Sequence, residues 1–149
     1  MTLDNIEFWH QVARPNPTDA NFNVQLGCHL EEIGEMFETL TFHAHGLPSI
    51  PGEMTMLYEE LKLLADYLKS GETAATINNR KEMLDSLADQ IVTSVGVGHC
   101  AQMNVPVACN RVDESNWSKY DELGKPIFNE HGKITKGPDY FKPDLTGLY

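Results

Sequence analysis

The chain reads as an all-α helical bundle of about five helices, closed by a short C-terminal hairpin and irregular tail. Three observations predict this class. Apolar residues recur at spacings of three and four along most of the chain. Polar caps, glycines and prolines divide that pattern into pieces of helical length. Almost no strand signal precedes residue 125. At 149 residues, 41% hydrophobic and 22% charged, the chain fits one domain spanning 1–149 that can bury an ordinary core.

A first helix is expected from Thr2 or Leu3 to Ala13, ending before Arg14-Pro15-Asn16-Pro17, because proline disfavours helix at its own position and before it. Thr18 or Asp19 can cap the second. Its stripe is Phe22, Leu26, Leu30, Ile33, Phe37 and Leu40, with Gly46 and Pro48 as the stop. The third runs from about Gly52 to Lys69 on Met56, Leu57, Leu61, Leu64 and Leu68, and Ser70-Gly71 closes it. Asn78 or Asn79 caps the fourth, whose core stripe is Leu84, Leu87, Ile91 and Val95; Gly96 and Gly98 fall late in it. Pro106 suits the first turn of a fifth helix, reaching about Tyr120. Beyond it, Lys125 to Phe128 and Lys133 to Lys136 flank the turn Asn129-Glu130-His131-Gly132, and Gly137-Pro138 opens the tail.

Cys28, Cys100 and Cys109 are odd in number and form no C-x-x-C pair, which argues against a disulfide framework or a zinc site and for a reducing cytoplasm. The segment from Met1 to His10 carries Asp4 and Glu7 and lacks the basic start of a signal peptide; no stretch approaches the roughly 20 apolar residues of a membrane span. A cytoplasmic protein without membrane partners is therefore expected. The net charge of −11 is uneven: from Lys119 onward five lysines balance five acids. Such a surface repels nucleic-acid polymers, whose binders cluster Lys and Arg. A small polyanion remains a possible partner if metal bridges it to the carboxylates.

Carboxylates carry the chemistry. Glu31-Glu32-x-x-Glu35 lies in the second helix and Glu82-x-x-Asp85-x-x-x-Asp89 near the start of the fourth, and residues three and four apart share a helix side. Anions packed in this way need cations, and residues 31 to 45 contain no lysine to supply them. Oxygen-only ligands suit Mg²⁺ or Mn²⁺ better than zinc. The acids also border the apolar stripes, so the two clusters are expected to face each other across the bundle interior or at a subunit interface. The competing expectation is an ordinary solvated helix face.

Other acidic or catalytic signatures fail. A di-iron bundle needs Glu-x-x-His on two helices, and only Glu7-x-x-His10 fits. A calcium loop placed at Asp113 to Gly124 has Ser118 where glycine belongs and Gly124 where glutamate belongs. No P-loop, H-E-x-x-H or G-x-S-x-G pattern occurs.

The acidic pattern, on helices of an all-α domain, resembles the E-E-x-x-E…E-x-x-D signature of the MazG-like all-α nucleoside triphosphate pyrophosphohydrolases, relatives of dimeric dUTPases and phosphoribosyl-ATP pyrophosphohydrolases. Ser115-Asn116-Trp117-Ser118-Lys119, Gly124-Lys125-Pro126-Ile127 and the run from Lys136 to Leu145 look like the phage branch of that family. The resemblance covers about residue 22 to the C-terminus. Two departures stand out. The 46 residues between Glu35 and Glu82 are more than the family usually has, implying a helical insertion at roughly 46–78. The second motif has two registers, because Asp89 lies at a familiar distance from Asn116-x-x-Lys119 and aligns as well as Asp85 does.

The resemblance implies hydrolysis of a nucleoside triphosphate between the α and β phosphates, giving monophosphate and pyrophosphate. Glu32, Glu35 and some of Glu82, Asp85 and Asp89 would hold two or three Mg²⁺, Mn²⁺ being possible. Glu31 or Glu32 would act as general base. Asn116, Lys119, Lys133, Lys136 and Tyr140 would bind substrate, the segment 121–149 covering it. Trp9, His10, Phe22, Asn23 and Gln25 offer stacking and amide contacts for a base, although Trp9 and Phe22 suit a core better. The expected substrate is a purine deoxynucleotide, dGTP first, and the expected state a homodimer or homotetramer, in a host cytoplasm if phage-encoded. The rival function is a non-catalytic, metal-binding helical assembly protein.

Overall fold

The computed structural model describes residues 3–40 and 51–149, with side chains from 56 onward in the second range. Among these are five helices: α1 (Leu3–Ala13), α2 (Asp19–Glu38), α3 (Pro51–Ser70), α4 (Arg80–Cys100) and α5 (Val105–Trp117). The described residues contain no strand, only an isolated antiparallel bridge between Phe128 and Ile134. The all-α class is therefore observed. The helices belong to two compact units: Met1–Asn16, Thr76–Phe128 and Ile134–Tyr149 in the first, Pro17–Ala75 and Asn129–Lys133 in the second.

Caps set the helix starts. Thr18 and Asn21 form a reciprocal box at α2: the Asn21 amide donates to Thr18 Oγ1 at 3.2 Å and the Thr18 amide to Asn21 Oδ1 at 3.0 Å. Asn79 Oδ1 accepts from the amides of Lys81 and Glu82 at 3.1 and 3.3 Å, and Asn104 Oδ1 from that of Val107 at 3.2 Å. The ends are less regular. α2 closes at Thr39, earlier than expected, and the stop expected at Gly46 and Pro48 lies outside the described residues. α5 closes at Ser118 rather than near Tyr120, because the Ser118 side chain turns back to the Ser115 carbonyl at 2.8 Å and its oxygen accepts the Phe141 amide at 3.1 Å.

In the second unit, α2 and α3 pack as an antiparallel pair, residues near Gly27 lying against Ala65, Leu68 and Lys69, and Gly34 against Tyr58. Gly27 is buried, and a Cβ there would stand 2.7 Å from the Ala65 carbonyl oxygen. Only glycine permits that approach. Val24, Ala65 and Leu68 fill the seam. Asn23, also buried, clasps its ends: its Nδ2 donates to the Asp19 carbonyl at 2.9 Å and its Oδ1 accepts the Ala75 amide at 2.7 Å.

In the first unit, α1 and α5 meet around Trp9, Ala13 and Tyr120, with Val12, Trp117 and Ile134 at the margin. The Trp9 and Tyr120 rings stack at 5.6 Å, Trp9 Nε1 donates to the Asn116 carbonyl at 3.0 Å, and the Tyr120 hydroxyl donates to the Trp9 carbonyl at 2.7 Å. The tail is stapled along α5. Ser115 Oγ donates to the Phe141 carbonyl at 2.7 Å, and the Asn104 amide to the Leu148 carbonyl at 2.8 Å.

The fourth helix departs from expectation. Its stripe of Leu84, Leu87, Ile91 and Val95, expected as core, is exposed by 69, 37, 47 and 39%. Periodicity shows that a helix has an apolar face; it does not say what covers it. α4 meets α5 at its C-terminal end, where Gly98 lies against Val105.

Candidate functional site

The acidic triplet of α2 splits by environment. Glu31 is half-buried and its two oxygens are divided between two ammoniums, Oε1 lying 2.8 Å from Lys69 Nζ and Oε2 2.8 Å from Lys133 Nζ. Lys69 reaches Asp66 as well, at 3.0 Å. The cations absent from the local sequence thus arrive from 38 and 102 residues away, across the α2–α3 seam and from the turn at 129–133. Burial pushes the Glu31 carboxyl up, but the hydrogen bonds and charges of Lys133 and Lys69 outweigh it and hold the group below its ordinary range. Lys69 answers in kind: burial lowers it, and Glu31 and Asp66 together raise it above the usual lysine value.

Glu32 and Glu35 differ from Glu31 in both respects. They are exposed, and among the described residues neither has a hydrogen-bond or ion-pair partner. One turn further on, Glu38 stands beside the Tyr58 hydroxyl, and the hydrogen bond that its carboxylate accepts from the phenol raises the Tyr58 pKa. Glu82, Asp85 and Asp89 are likewise exposed, on the side of α4 that their spacing of three and four dictates. They belong to the first unit, whereas Glu31, Glu32 and Glu35 belong to the second. Among the described residues no group of three or more His, Cys, Asp or Glu side chains is gathered as a metal-binding cluster. The donors on α2 and α4 are nonetheless hard carboxylate oxygens suited to Mg²⁺ or Mn²⁺. Glu31, saturated by ammoniums, does not fit that role.

The other expected site residues fall into pairs. Lys119 Nζ donates to Asn116 Oδ1 at 2.6 Å and lies 6.0 Å from the Trp9 ring centroid. Lys136 Nζ stands 4.9 Å over the Tyr140 ring. These four belong to the first unit, held by α5 and its stapled tail. Lys133 belongs to the second, on a turn that Asn129 organises: Asn129 Oδ1 accepts from the amides of His131 and Lys133 at 3.0 and 2.9 Å.

Of the residues offered for base recognition, Trp9 is buried in the α1–α5 core and Asn23 has both amide ends engaged by backbone. His10 lies edge-on to Trp9 at 4.8 Å, its pKa lowered by burial and then by Arg14. Two residues escaped the sequence reading. Lys69 and Asp66 complete the Glu31 network, and no local spacing announces them, because the contact depends on how α3 crosses α2. The only available signal was the missing cation beside three glutamates.

No helix among the described residues is long and apolar enough to cross a membrane. No family model, curated protein or solved structure matches the chain.

Proposed function

We propose that the protein is a Mg²⁺-dependent nucleoside triphosphate pyrophosphohydrolase that cleaves between the α and β phosphates, with a purine deoxynucleotide, dGTP first, as the preferred substrate. One observation carries the reading: on α2, two exposed carboxylates suited to a divalent cation adjoin a third that holds a lysine ammonium suited to phosphate. Substrate and metal would then be met by one segment of helix. The resemblance of the acidic motifs and of the Asn116–Lys119 segment supplies the reaction class.

Glu32 and Glu35 would hold the metal, and the resemblance names Glu82, Asp85 and Asp89 as further candidate ligands. When bound, Mg²⁺ neutralises phosphate oxygens and makes a coordinated water more acidic. Glu32 is the better candidate to accept a proton from the attacking water, since Glu31 already accepts from two ammoniums. Lys133 would offset negative charge on the phosphate chain, and the resemblance adds Lys119, Lys136 and the Asn116 amide as candidate substrate contacts. Assembly as a homodimer or homotetramer would cover the apolar stripe of α4.

The test is incubation with Mg²⁺ and a panel of NTPs and dNTPs, followed by product separation. Monophosphate with pyrophosphate is expected. Inorganic phosphate with diphosphate would assign another phosphohydrolase chemistry, and no turnover across the panel would favour a metal-binding assembly protein. Glu35→Gln should abolish turnover while leaving the far-ultraviolet helical signal intact; full activity in that variant overturns the metal assignment.

A further inference from the structure

Two lysines meet Glu31, but they are not equivalent. The Lys69 side chain is 14% exposed and its ammonium serves two carboxylates, Glu31 and Asp66. The Lys133 side chain is 43% exposed, and among the described residues its ammonium donates once, to Glu31. An ammonium has three donors, so two remain at Lys133 for an acceptor from solution. Its backbone is fixed independently of that contact. The Asn129 amide donates to the Lys133 carbonyl at 2.9 Å, and Asn129 Oδ1 receives the Lys133 amide at 2.9 Å. The turn therefore sets where the side chain starts, and Glu31 sets where it ends.

We propose that Glu31 is a positioning residue: held by Lys69, its carboxylate orients the Lys133 ammonium to receive a non-bridging oxygen of a phosphate chain. This deepens the reading given above and rests on it for the identity of the anion as a nucleotide's phosphates. Glu31 is then neither a metal ligand nor the general base. A carboxylate already shared by two ammoniums is a weak proton acceptor and a poor competitor for Mg²⁺. Lys69, inward and doubly paired, acts as the anchor that holds the Glu31 carboxylate in place. A flexible lysine without such an anchor would lose more side-chain freedom on meeting the anion.

The experiment compares the full-length protein with Glu31→Gln, Lys133→Met and the double variant, using three readouts. Inorganic tripolyphosphate binding is measured by calorimetry without metal, Mn²⁺ binding by electron paramagnetic resonance, and nucleotide turnover as KM and kcat separately. Expected for Glu31→Gln is roughly tenfold weaker tripolyphosphate binding and a KM raised by a similar factor, with kcat within about threefold and Mn²⁺ affinity unchanged. In the Lys133→Met background the Glu31 change should add nothing further, because its effect passes through Lys133. Unchanged tripolyphosphate affinity in Glu31→Gln overturns the proposal. So does a hundredfold loss of kcat at constant KM, which would make Glu31 the base, or a tenfold loss of Mn²⁺ affinity, which would make it a ligand. Should the wild-type protein turn over no nucleotide, the functional reading fails, and the tripolyphosphate arm still decides whether Glu31 orients Lys133. Lys133→Met lies on a half-exposed turn, so it tests the proposal even if the Glu31 variant folds poorly: weaker tripolyphosphate binding is expected, and unchanged affinity in Lys133→Met overturns the proposal.

Discussion

Replacing Gly27 by alanine sets two opposing terms against each other at the place where Lys69 reaches Glu31. Within a helix the change favours folding by about 1 kcal/mol, since glycine sacrifices more backbone freedom. Against this, the new Cβ would sit 2.7 Å from the Ala65 carbonyl oxygen, 2.9 Å from Lys69 Cγ and 3.3 Å from Leu68 Cβ. The lysine carbon can swing aside. The carbonyl cannot, because it belongs to the backbone of α3, so the helices must separate by roughly half an ångström or more to restore an ordinary carbon–oxygen distance. Overpacking of this kind costs about 2–3 kcal/mol, which leaves a net loss of about 1–2 kcal/mol. For a chain of this length the melting temperature should fall by roughly 3–7 °C. Thermal and urea melts measure it, and Gly96→Ala is the control: nothing lies within 4 Å of a Cβ there, so that variant should gain about 1 kcal/mol. A rise in stability for Gly27→Ala equal to that for Gly96→Ala would refute the close α2–α3 approach and the Lys69–Glu31 geometry built on it.

Three further outcomes are expected. Burial pushes the Tyr120 phenol up to about 12, so the unfolded chain, whose phenol titrates near 10, loses that proton first as pH rises; the neutral phenol's contribution is complete below about pH 10 and lost toward pH 12, about 2 kcal/mol in all. Tyr120→Phe should cost about 1 kcal/mol at neutral pH and flatten this part of the pH dependence, as read by urea melts at pH 9 and pH 12. Asn23→Ala removes the acceptor of the part-buried Ala75 amide, and a destabilisation of about 1–3 kcal/mol with faster hydrogen exchange at that amide is expected; unchanged exchange would count against the clasp. Raising salt to about 1 M should weaken the half-exposed Lys133–Glu31 pair more than the Lys69–Glu31 pair, seen as selective broadening or shift of the Lys133 Nζ resonance.

Caps and period were legible because they are local. Thr18, Asn79 and Pro106 announce helix starts within three or four residues, and the structure places α2, α4 and α5 there. The stop at Ser118 was not legible, since the tail at Phe141 helps impose it. Nor was the fate of α4. Leu84, Leu87, Ile91 and Val95 have the spacing of a core face, yet the pattern carries no address for a partner. For the site, spacing alone put the three glutamates on one helix and noticed the missing lysines. It could not distinguish Glu31 from Glu32, because that difference is made by Lys69 and Lys133, whose approach depends on the α2–α3 crossing and on the Asn129 turn.

Exposure bears on the two rival functions as well. Once Glu31 is answered by ammoniums, Glu32 and Glu35 are the carboxylates of the triplet left for a divalent cation. A metal that served only to hold the fold together would be expected to have its ligands buried and its coordination shell filled by protein. Both glutamates are instead exposed, so any ion they hold keeps several waters, as Mg²⁺ prefers, and positions open to exchange for phosphate oxygens. Weak intrinsic affinity follows from carboxylates that are fully hydrated when free. In the proposed reading that weakness is compensated only when substrate arrives, because the phosphate chain brings its own ligands to the metal and is met by Lys133. Mn²⁺ should therefore bind more tightly in the presence of a non-hydrolysable triphosphate than alone, and that synergy should shrink in Lys133→Met. Equal Mn²⁺ affinity with and without the triphosphate would remove the reason to couple the acidic residues to phosphate chemistry and would return α2 to the assembly reading.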